Sequence, residues 1–132
     1  GLVNVKIKPG YHIDMQDLAL EIEGAQIDWG GHDNDTDYLI TELLDFDKTI
    51  GVALDFAAKN AETLVIVTAD HETGGFTLST DDGNYNKIKP TFSTGGHSAT
   101  MVPLFAKGPG EENFGGIYKN TALFQKMMDI FK

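Results

Sequence analysis

The chain has 132 residues, of which 41% are hydrophobic, so it is long enough for one domain and too apolar for general disorder. Its 20 acidic residues outnumber ten lysines, and the resulting charge of −10 argues against nucleic acid or an anionic membrane as a partner. The absence of cysteine excludes disulfides, thiolate nucleophiles and thiolate metal sites.

The N-terminal segment has weak signals. Alternating apolar residues predict a strand over 3–7, which a Pro-Gly pair at 9–10 ends, and LALEI at 18–22 predicts a second short strand. No leader pattern opens the chain, and no apolar run has the length of a membrane span. Because the chain begins with Gly1, we expect a processed product or a piece of a longer protein.

The clearest helix is predicted over residues 37–59. We expect Asn34, Asp35 or Thr36 to cap its N-terminus and Asn60 to end it. Its apolar residues recur at spacings of three and four, as on one face of a helix: Leu39, Leu43, Phe46, Ile50, Leu54 and Ala57.

The second half of the chain alternates apolar strands with polar segments. The apolar run 63–68 predicts a central parallel strand buried on both faces, and 76–78 predicts a short strand. Residues 80–96 are predicted to form a long polar loop, and 101–106 another strand. A final helix is predicted after Asn120, with Phe124, Met127, Met128 and Phe131 on one face. This order of elements predicts an α/β fold.

Acid–histidine pairs occur where the predicted strands end. Asp70 and His71 follow the run 63–68, and ligands of open α/β sheets bind at the carboxyl ends of strands. A carboxylate and an imidazole together suit a cation such as zinc. The next residues include Gly74 and Gly75, which let the backbone turn sharply.

Two further stretches carry the same residue types. EGAQIDWGGHD places Asp28 and His32 four residues apart, which puts both on one side if the stretch is helical. The same stretch contains Glu23, and GGHS places His97 between glycine and serine. Since the chain has no arginine, the charge that binds an anionic substrate would come from metal or from another part of the protein.

Each cluster also has an ordinary explanation when taken alone. The pair at 70–71 fits a helix cap with a hydrogen-bonded histidine, and the pair at 28 and 32 fits a surface contact. His97 fits a simple loop residue, and His12 is interpreted as structural or exposed. The acidic run at 33–37 is not a calcium loop, because its sixth and twelfth positions are tyrosine and leucine.

Taken together, the motifs resemble those of the alkaline phosphatase family. The specific ones are EGAQIDWGGHDND and TLVIVTADHETGG, followed in the same order by GGHSATMVPLFAKGPG, ENFGGIY and KNTALFQKM. The resemblance covers Leu18 to Lys132 and matches residues 1–17 poorly. It implies that residues 1–132 form a single domain, the C-terminal part of such an enzyme. The implied fold is a partial alkaline-phosphatase-like sheet flanked by helices, without the N-terminal strands.

The resemblance also implies a bacterial zinc-dependent phosphomonoesterase with two zinc ions and one magnesium ion in the intact enzyme. In this family the two zinc ions polarise phosphoryl oxygens and activate an alcohol, then a water, through a phosphoserine-type intermediate. The implied residues are Asp28, His32 and His97 for the first zinc, Asp70 and His71 for the second zinc, Glu23 for magnesium, and Trp29 beside the phosphate.

Several family features are missing from these 132 residues. The nucleophilic serine, an aspartate bridging the second zinc and magnesium, a hydroxyl ligand of magnesium and a phosphate-binding arginine all belong to an N-terminal segment in the family. Ser79, Ser93 and Ser98 do not stand in the nucleophile's sequence setting. We therefore expect the chain alone to be inactive as a hydrolase and to hold at most one zinc ion well.

Further expectations concern partners and location. The resemblance implies phosphate monoesters as substrates of the intact enzyme, a periplasmic or secreted location, and self-association through a sheet edge left open. A stand-alone metal-binding or interaction module is the alternative. A sulfatase or phosphoglycerate mutase of the same superfamily is a third interpretation, against which the Trp29 setting and TADHETGG argue.

Overall fold

The computed structural model describes residues 19–130, so the strand predicted over 3–7, His12 and Phe131 lie outside the described residues. Three α-helices are present in the described part: α1 (Ala25–His32), α2 (Thr36–Lys59) and α3 (Ala122–Ile130). A 3₁₀ helix spans Glu111–Phe114. None of the helices in this range is long and apolar enough to cross a membrane.

The strands of residues 19–130 form three antiparallel pairs. The pairs are β1 with β6, β2 with β5, and β3 with β4. The strands are β1 (Val65–Val67), β2 (Glu72–Thr73), β3 (Thr77–Asp81), β4 (Asn84–Thr91), β5 (His97–Ser98) and β6 (Phe105–Lys107).

Helix α2 confirms the strongest prediction from the sequence. It begins at Thr36 because Asp35 caps it, with the Asp35 carboxylate accepting a hydrogen bond from the Tyr38 backbone N–H at 3.0 Å. It ends at Asn60, as predicted. The periodic apolar positions therefore identified the helix, and a local polar side chain determined where it starts.

The predicted central parallel strand at 63–68 is wrong in direction and in environment. β1 is shorter, pairs antiparallel with β6, and is only half-buried. Its other edge has no strand partner among residues 19–130. A continuous apolar run indicates that a strand is suited to burial, but it does not specify the direction or the number of the neighbouring strands.

The predicted strand at 18–22 is also not observed in its described part. Residues 19–24 have no regular secondary structure, and Leu20 and Ile22 are exposed. A strand requires a hydrogen-bonded neighbour, and none of the strands in the described range pairs with this segment.

The predicted long loop at 80–96 is largely a β-hairpin. β3 and β4 pair with Thr77 opposite Thr91, and the two strands are joined at Asp82 and Gly83. Both turn residues have positive φ angles, 47° and 76°, which suits Asp-Gly in a tight hairpin turn. The irregular segment is therefore confined to residues 92–96.

The last predicted strand and helix are shifted and shortened. β6 begins at Phe105, and residues 101–104 before it are irregular. A glycine turn follows β6: Gly108 has a φ of 130°, and a Cβ there would lie 2.3 Å from the Thr63 carbonyl oxygen. α3 begins two residues after Asn120, whose backbone carbonyl accepts from the Leu123 N–H at 3.0 Å.

Only two apolar residues are buried within the described range, Leu39 at 6% and Phe114 at 4% exposure. Fifteen large apolar side chains in the same range are exposed to solvent, including residues of α2, α3 and β6. The described part of the chain therefore buries little of its apolar side-chain surface.

The turn before the 3₁₀ helix is expected to be sensitive to acid. The Glu111 carboxylate accepts from the Gly108 backbone N–H at 2.7 Å and from the Lys107 ammonium at 3.3 Å, and these two hydrogen bonds lower the pKa of Glu111 below its ordinary value of 4.5. Because the folded-state pKa is lowered, this contact stabilises the chain above pH 4.5, and its contribution is lost as the pH falls through the folded-state pKa.

The corresponding measurement is denaturant unfolding at pH 6 and at pH 3.5. Glu111→Gln is expected to reduce the difference in unfolding free energy between the two pH values, whereas Glu112→Gln, the same change at the exposed neighbouring position, leaves it as in the wild type. An identical pH dependence in Glu111→Gln and wild type contradicts the prediction.

Candidate metal centre

Helix α1 carries the first acid–histidine pair on one face, as the sequence predicted. Asp28 and His32 are one helical turn apart, and the Asp28 Oδ2 atom lies 3.5 Å from the His32 Nε2 atom. Between them, Gly30 and Gly31 are buried. A Cβ on Gly30 would lie 2.7 Å from the Leu39 backbone nitrogen, and a Cβ on Gly31 would lie 2.9 Å from the Thr73 carbonyl oxygen. The two glycines therefore let α1 pack directly against α2 and β2.

The short β2–β5 pair brings His97 to the same place. Thr73 stands opposite His97 and Glu72 stands opposite Ser98. The pairing continues for one more hydrogen bond, from the Gly74 N–H to the Gly96 carbonyl oxygen at 3.0 Å. Because Gly31 packs on Thr73, the register of this pair sets the position of His97 relative to α1.

Asp28, His32 and His97 converge, although His97 is 65 residues from His32. The Nε2 atoms of His32 and His97 are 3.1 Å apart, and Nε2 of His97 lies 3.6 Å from Oδ1 of Asp28. Ligands of a tetrahedral zinc ion with bonds of about 2.0–2.1 Å stand about 3.3–3.4 Å from one another. The distances among these three side chains fit that geometry.

The contacts of His32 determine which of its nitrogens is free. Its Nδ1 atom lies 2.8 Å from the Gly95 carbonyl oxygen, and a carbonyl oxygen only accepts. Nδ1 therefore carries the proton in the neutral ring, and Nε2 presents a lone pair toward Asp28 and His97. A backbone carbonyl that orients one ring nitrogen is the usual support of a histidine that binds metal through the other.

His71 belongs to the same cluster. Its ring stacks on the ring of His97 with centroids 3.5 Å apart and an interplanar angle of 18°. Ligand atoms of Asp28, His71 and His97 all lie within 4.8 Å of one another, the one such grouping found among the described residues. The two predicted zinc ligand sets therefore adjoin each other, and which ligands share an ion stays a prediction.

Thr73 is a site residue that the sequence analysis missed. Its hydroxyl donates to Oδ1 of Asp28 at 2.5 Å and lies 3.2 Å from Nδ1 of His71. Since the hydroxyl proton is used on Asp28, Nδ1 of His71 is the donor in the second contact, and Nε2 of His71 presents its lone pair. Thr73 thus orients one residue from each predicted zinc set, and no signal in the sequence separates it from the neighbouring threonines.

In the cluster, unprotonated histidine nitrogens therefore face carboxylate oxygens, so that both atoms of each pair are hydrogen-bond acceptors. Nε2 of His71 lies 3.3 Å from Oδ2 of Asp70, and Nε2 of His32 lies 3.5 Å from Oδ2 of Asp28. Two acceptors at these distances attract each other only with a proton or a cation between them. The donor set of imidazole and carboxylate suits a divalent ion such as zinc.

Two predicted site residues stand apart from these contacts. Glu23 is exposed, precedes the N-terminus of α1, and is not part of the grouping of Asp28, His71 and His97. Trp29 is 55% exposed on α1, next to Asp28. The magnesium and phosphate roles of these residues stay predictions.

Glu72 lies behind the cluster with several hydrogen-bond donors. Partial burial raises the pKa of its carboxyl group, but hydrogen bonds from the Ser98 hydroxyl and from the backbone of Phe76 and Gly75 outweigh this effect, so the pKa is lowered. Glu72 is therefore an ionised acceptor at neutral pH.

The fold and the cluster indicate an α/β protein with an acid–histidine centre of the kind that holds divalent cations. The sequence profile of the alkaline phosphatase family matches residues 14–91. The chain belongs to the alkaline phosphatase family. The match to this profile leaves no support for the sulfatase and phosphoglycerate mutase interpretations.

Curated relatives agree with the family. The chain is 48% identical to alkaline phosphatase 3 of Bacillus subtilis over 73 residues, which are 55% of this chain and 16% of that protein. It is 37% identical to streptomycin-6-phosphate phosphatase of Streptomyces griseus over an alignment of 123 positions that covers 80% of this chain and 27% of that protein. The chain thus spans well under a third of the length of these relatives.

Solved structures confirm the fold. The alkaline phosphatase of the Antarctic bacterium TAB5 matches 82% of this chain and 33% of its own with a TM-score of 0.76 and 57% identity. A mutant of the TAB5 enzyme with magnesium bound matches with a TM-score of 0.77. The structure of the Shewanella alkaline phosphatase, at 22% identity and a TM-score of 0.75, supports the fold alone.

Proposed function

We propose that this chain, with residues 1–132 as one domain, is the C-terminal, metal-ligand-bearing part of a phosphate monoester hydrolase. The observation that carries the proposal is the meeting of Asp28, His32 and His97 within 3.6 Å, from two segments of the chain that are far apart in sequence. The family membership supplies the reaction class.

The proposed roles follow the family pattern and use this chain's own side chains. Asp28, His32 and His97 hold one zinc ion, and Asp70 and His71 contribute to a second. Bound zinc would supply the positive charge that polarises a phosphoryl oxygen, in a chain without arginine. The remaining proposed roles are those of Glu23 as a magnesium ligand and Trp29 beside the phosphate.

We further propose that the 132-residue chain does not hydrolyse phosphate esters by itself. Two of its serines have hydroxyls engaged elsewhere: Ser98 donates to the Glu72 carboxylate, and Ser93 lies 3.5 Å from the Gly75 carbonyl oxygen. Ser79 lies on strand β3 of the hairpin. None of the three is positioned by a contact with the acid–histidine cluster in the described residues.

The assay for this proposal is p-nitrophenyl phosphate hydrolysis with added zinc and magnesium. The expected result is no turnover above the metal-containing buffer. Turnover that His97→Ala abolishes would show that the chain contains its own nucleophile. The parent gene offers a second test, since a serine in the family's nucleophile motif upstream of Gly1 supports the assignment to a larger hydrolase.

We propose that the chain self-associates through the β1–β6 pair. One edge of each strand in this pair has no strand partner among residues 19–130, and Phe105 of β6 is 64% exposed. Open edges with apolar side chains pair with other chains.

Sedimentation velocity over a concentration series is expected to show oligomers of the wild-type chain. Phe105→Lys is expected to weaken this self-association. Ile117→Lys is the control at an exposed position outside the strands, and it is expected to leave self-association unchanged. A wild-type monomer at every concentration refutes this proposal.

A stand-alone metal-binding or interaction module is the second candidate function. It is favoured by one observation: the cluster is assembled entirely from this chain's own residues.

Under either function we propose a periplasmic or secreted location, which rests on the family alone. Restoration of phosphatase activity when a relative's N-terminal portion is added would favour the hydrolase over the module.

A further inference from the structure

The Glu72 carboxylate links β2 to β5 and to the residue that precedes β3, directly behind the metal centre. One of its oxygens accepts from the Phe76 backbone N–H at 3.0 Å, and the other accepts from the Ser98 hydroxyl. Glu72 follows His71 in sequence, and Ser98 follows His97.

The alternation of side chains in the β2–β5 pair separates two faces. Glu72 is opposite Ser98, and Thr73 is opposite His97. Because successive side chains of a strand point to opposite sides, Glu72 and Ser98 share one face while Thr73 and His97 share the other. On the second face, Thr73 and His97 both contact Asp28.

The strands of this pair are too short to hold their register unaided. Each contains two residues, and a two-stranded pair of ordinary length is already marginal in water. A hydrogen bond to a carboxylate is about twice as strong as one between neutral groups. The contact between Glu72 and Ser98 therefore supplies a cross-strand link that the backbone pairing alone lacks.

We propose that Glu72 is a positioning residue, which fixes the β2–β5 register from behind and thereby sets the spacing of His71, Thr73 and His97 in the metal centre. It is not a metal ligand. The inference rests on the proposed function for its effect on metal affinity, but its effect on the β2–β5 register does not depend on metal.

The test uses the whole chain and five variants, the fifth of which combines Glu72→Ala with Ser98→Ala. Glu72→Ala removes all the contacts of the carboxylate, and Ser98→Ala removes the cross-strand link together with the contacts of the Ser98 hydroxyl to Thr100. In Glu72→Gln the amide oxygen can still accept from the Phe76 backbone N–H, and the amide NH₂ group can donate to the Ser98 hydroxyl oxygen. Glu72→Gln is therefore the conservative variant, which is expected to keep the link between the strands. Glu111→Ala is the matched control, because Glu111 also accepts from a backbone N–H but does so beside β6.

The first readout is amide hydrogen exchange in metal-free protein. Glu72→Ala is expected to accelerate exchange at residues 72–74 and 97–98 by about tenfold relative to wild type, with no change at 105–107. Glu72→Gln is expected to restore most of the protection. Unchanged exchange at 97–98 overturns the proposal, and so does an equal increase at 105–107, because that result indicates a general loss of stability.

The second readout is zinc affinity by isothermal titration. Glu72→Ala and Ser98→Ala are each expected to weaken zinc binding by about 10-fold, in the range typical of groups that orient metal ligands. The double variant is expected to bind zinc no more weakly than the single variant that has the lower zinc affinity. Additive losses contradict a shared link. If wild type binds no zinc, the proposed metal function fails, and the exchange data alone decide whether Glu72 sets the register.

Discussion

Zinc is expected to bind the wild-type chain at one site, and His97→Ala is expected to weaken that binding by about 100-fold or more. Loss of a supporting group typically costs about 10–100-fold in metal affinity, so loss of a ligand costs at least as much. His97 contacts both Asp28 and His32, and its ring stacks on His71. The variant therefore removes the ligand that β5 contributes and leaves the two ligands on α1 in place.

Isothermal titration with zinc in metal-depleted buffer measures this effect. Asp28→Asn is expected to weaken binding as well, because it removes a charge that Thr73 orients. Asp45→Asn is the matched control, since Asp45 is an exposed acid on α2 whose contact is with Lys48. Equal zinc affinity of His97→Ala and wild type would leave the acid–histidine cluster without a metal role, whatever the family.

Leu39→Ala is expected to reduce the free energy of unfolding by about 2–5 kcal/mol, the usual cost of truncating a buried leucine. Leu39 is 6% exposed and lies where α2 meets α1, since a Cβ on Gly30 would lie 3.1 Å from the Leu39 Cβ. With so few apolar side chains buried in residues 19–130, this loss is a large share of the stability of a small domain.

The comparison that isolates burial is Leu44→Ala on the same helix. Leu44 is 58% exposed, and its truncation is expected to change the unfolding free energy by no more than about 0.5 kcal/mol. Urea unfolding followed by circular dichroism measures both variants. Equal effects at the two positions would show that the contact between α1 and α2 does not stabilise the folded chain.

Much of the candidate centre could be predicted because its residues are grouped in short local motifs. The spacing of Asp28 and His32 indicates a shared helical face, and α1 confirms that arrangement. Family membership followed from the same motifs. Thr73 could not be predicted, because a threonine becomes an orienting group only when an acid from another segment reaches its hydroxyl.

The errors in the fold also have physical causes. The sequence predicts a strand at 76–78 but a loop at 80–96, because most of the hairpin strands are polar, although the Asp-Gly pair at 82–83 is a recognisable turn signal. The apolar residues of β1 could not predict whether its neighbouring strand runs parallel or antiparallel to it. A pattern of apolar side chains indicates how deeply a strand is suited to be buried, but not which strand lies beside it.

The sequence by itself determined the family, helix α2 and the residue types of the candidate metal centre, because these depend on local spacing and composition. Only the tertiary structure decided that Asp28 and His32 meet His97, that His71 stacks on His97, and that Glu72 and Thr73 lie on opposite faces of β2. Those relations depend on strand register and on the close approach of α1 to β2, which bring together segments of the chain that are distant in sequence.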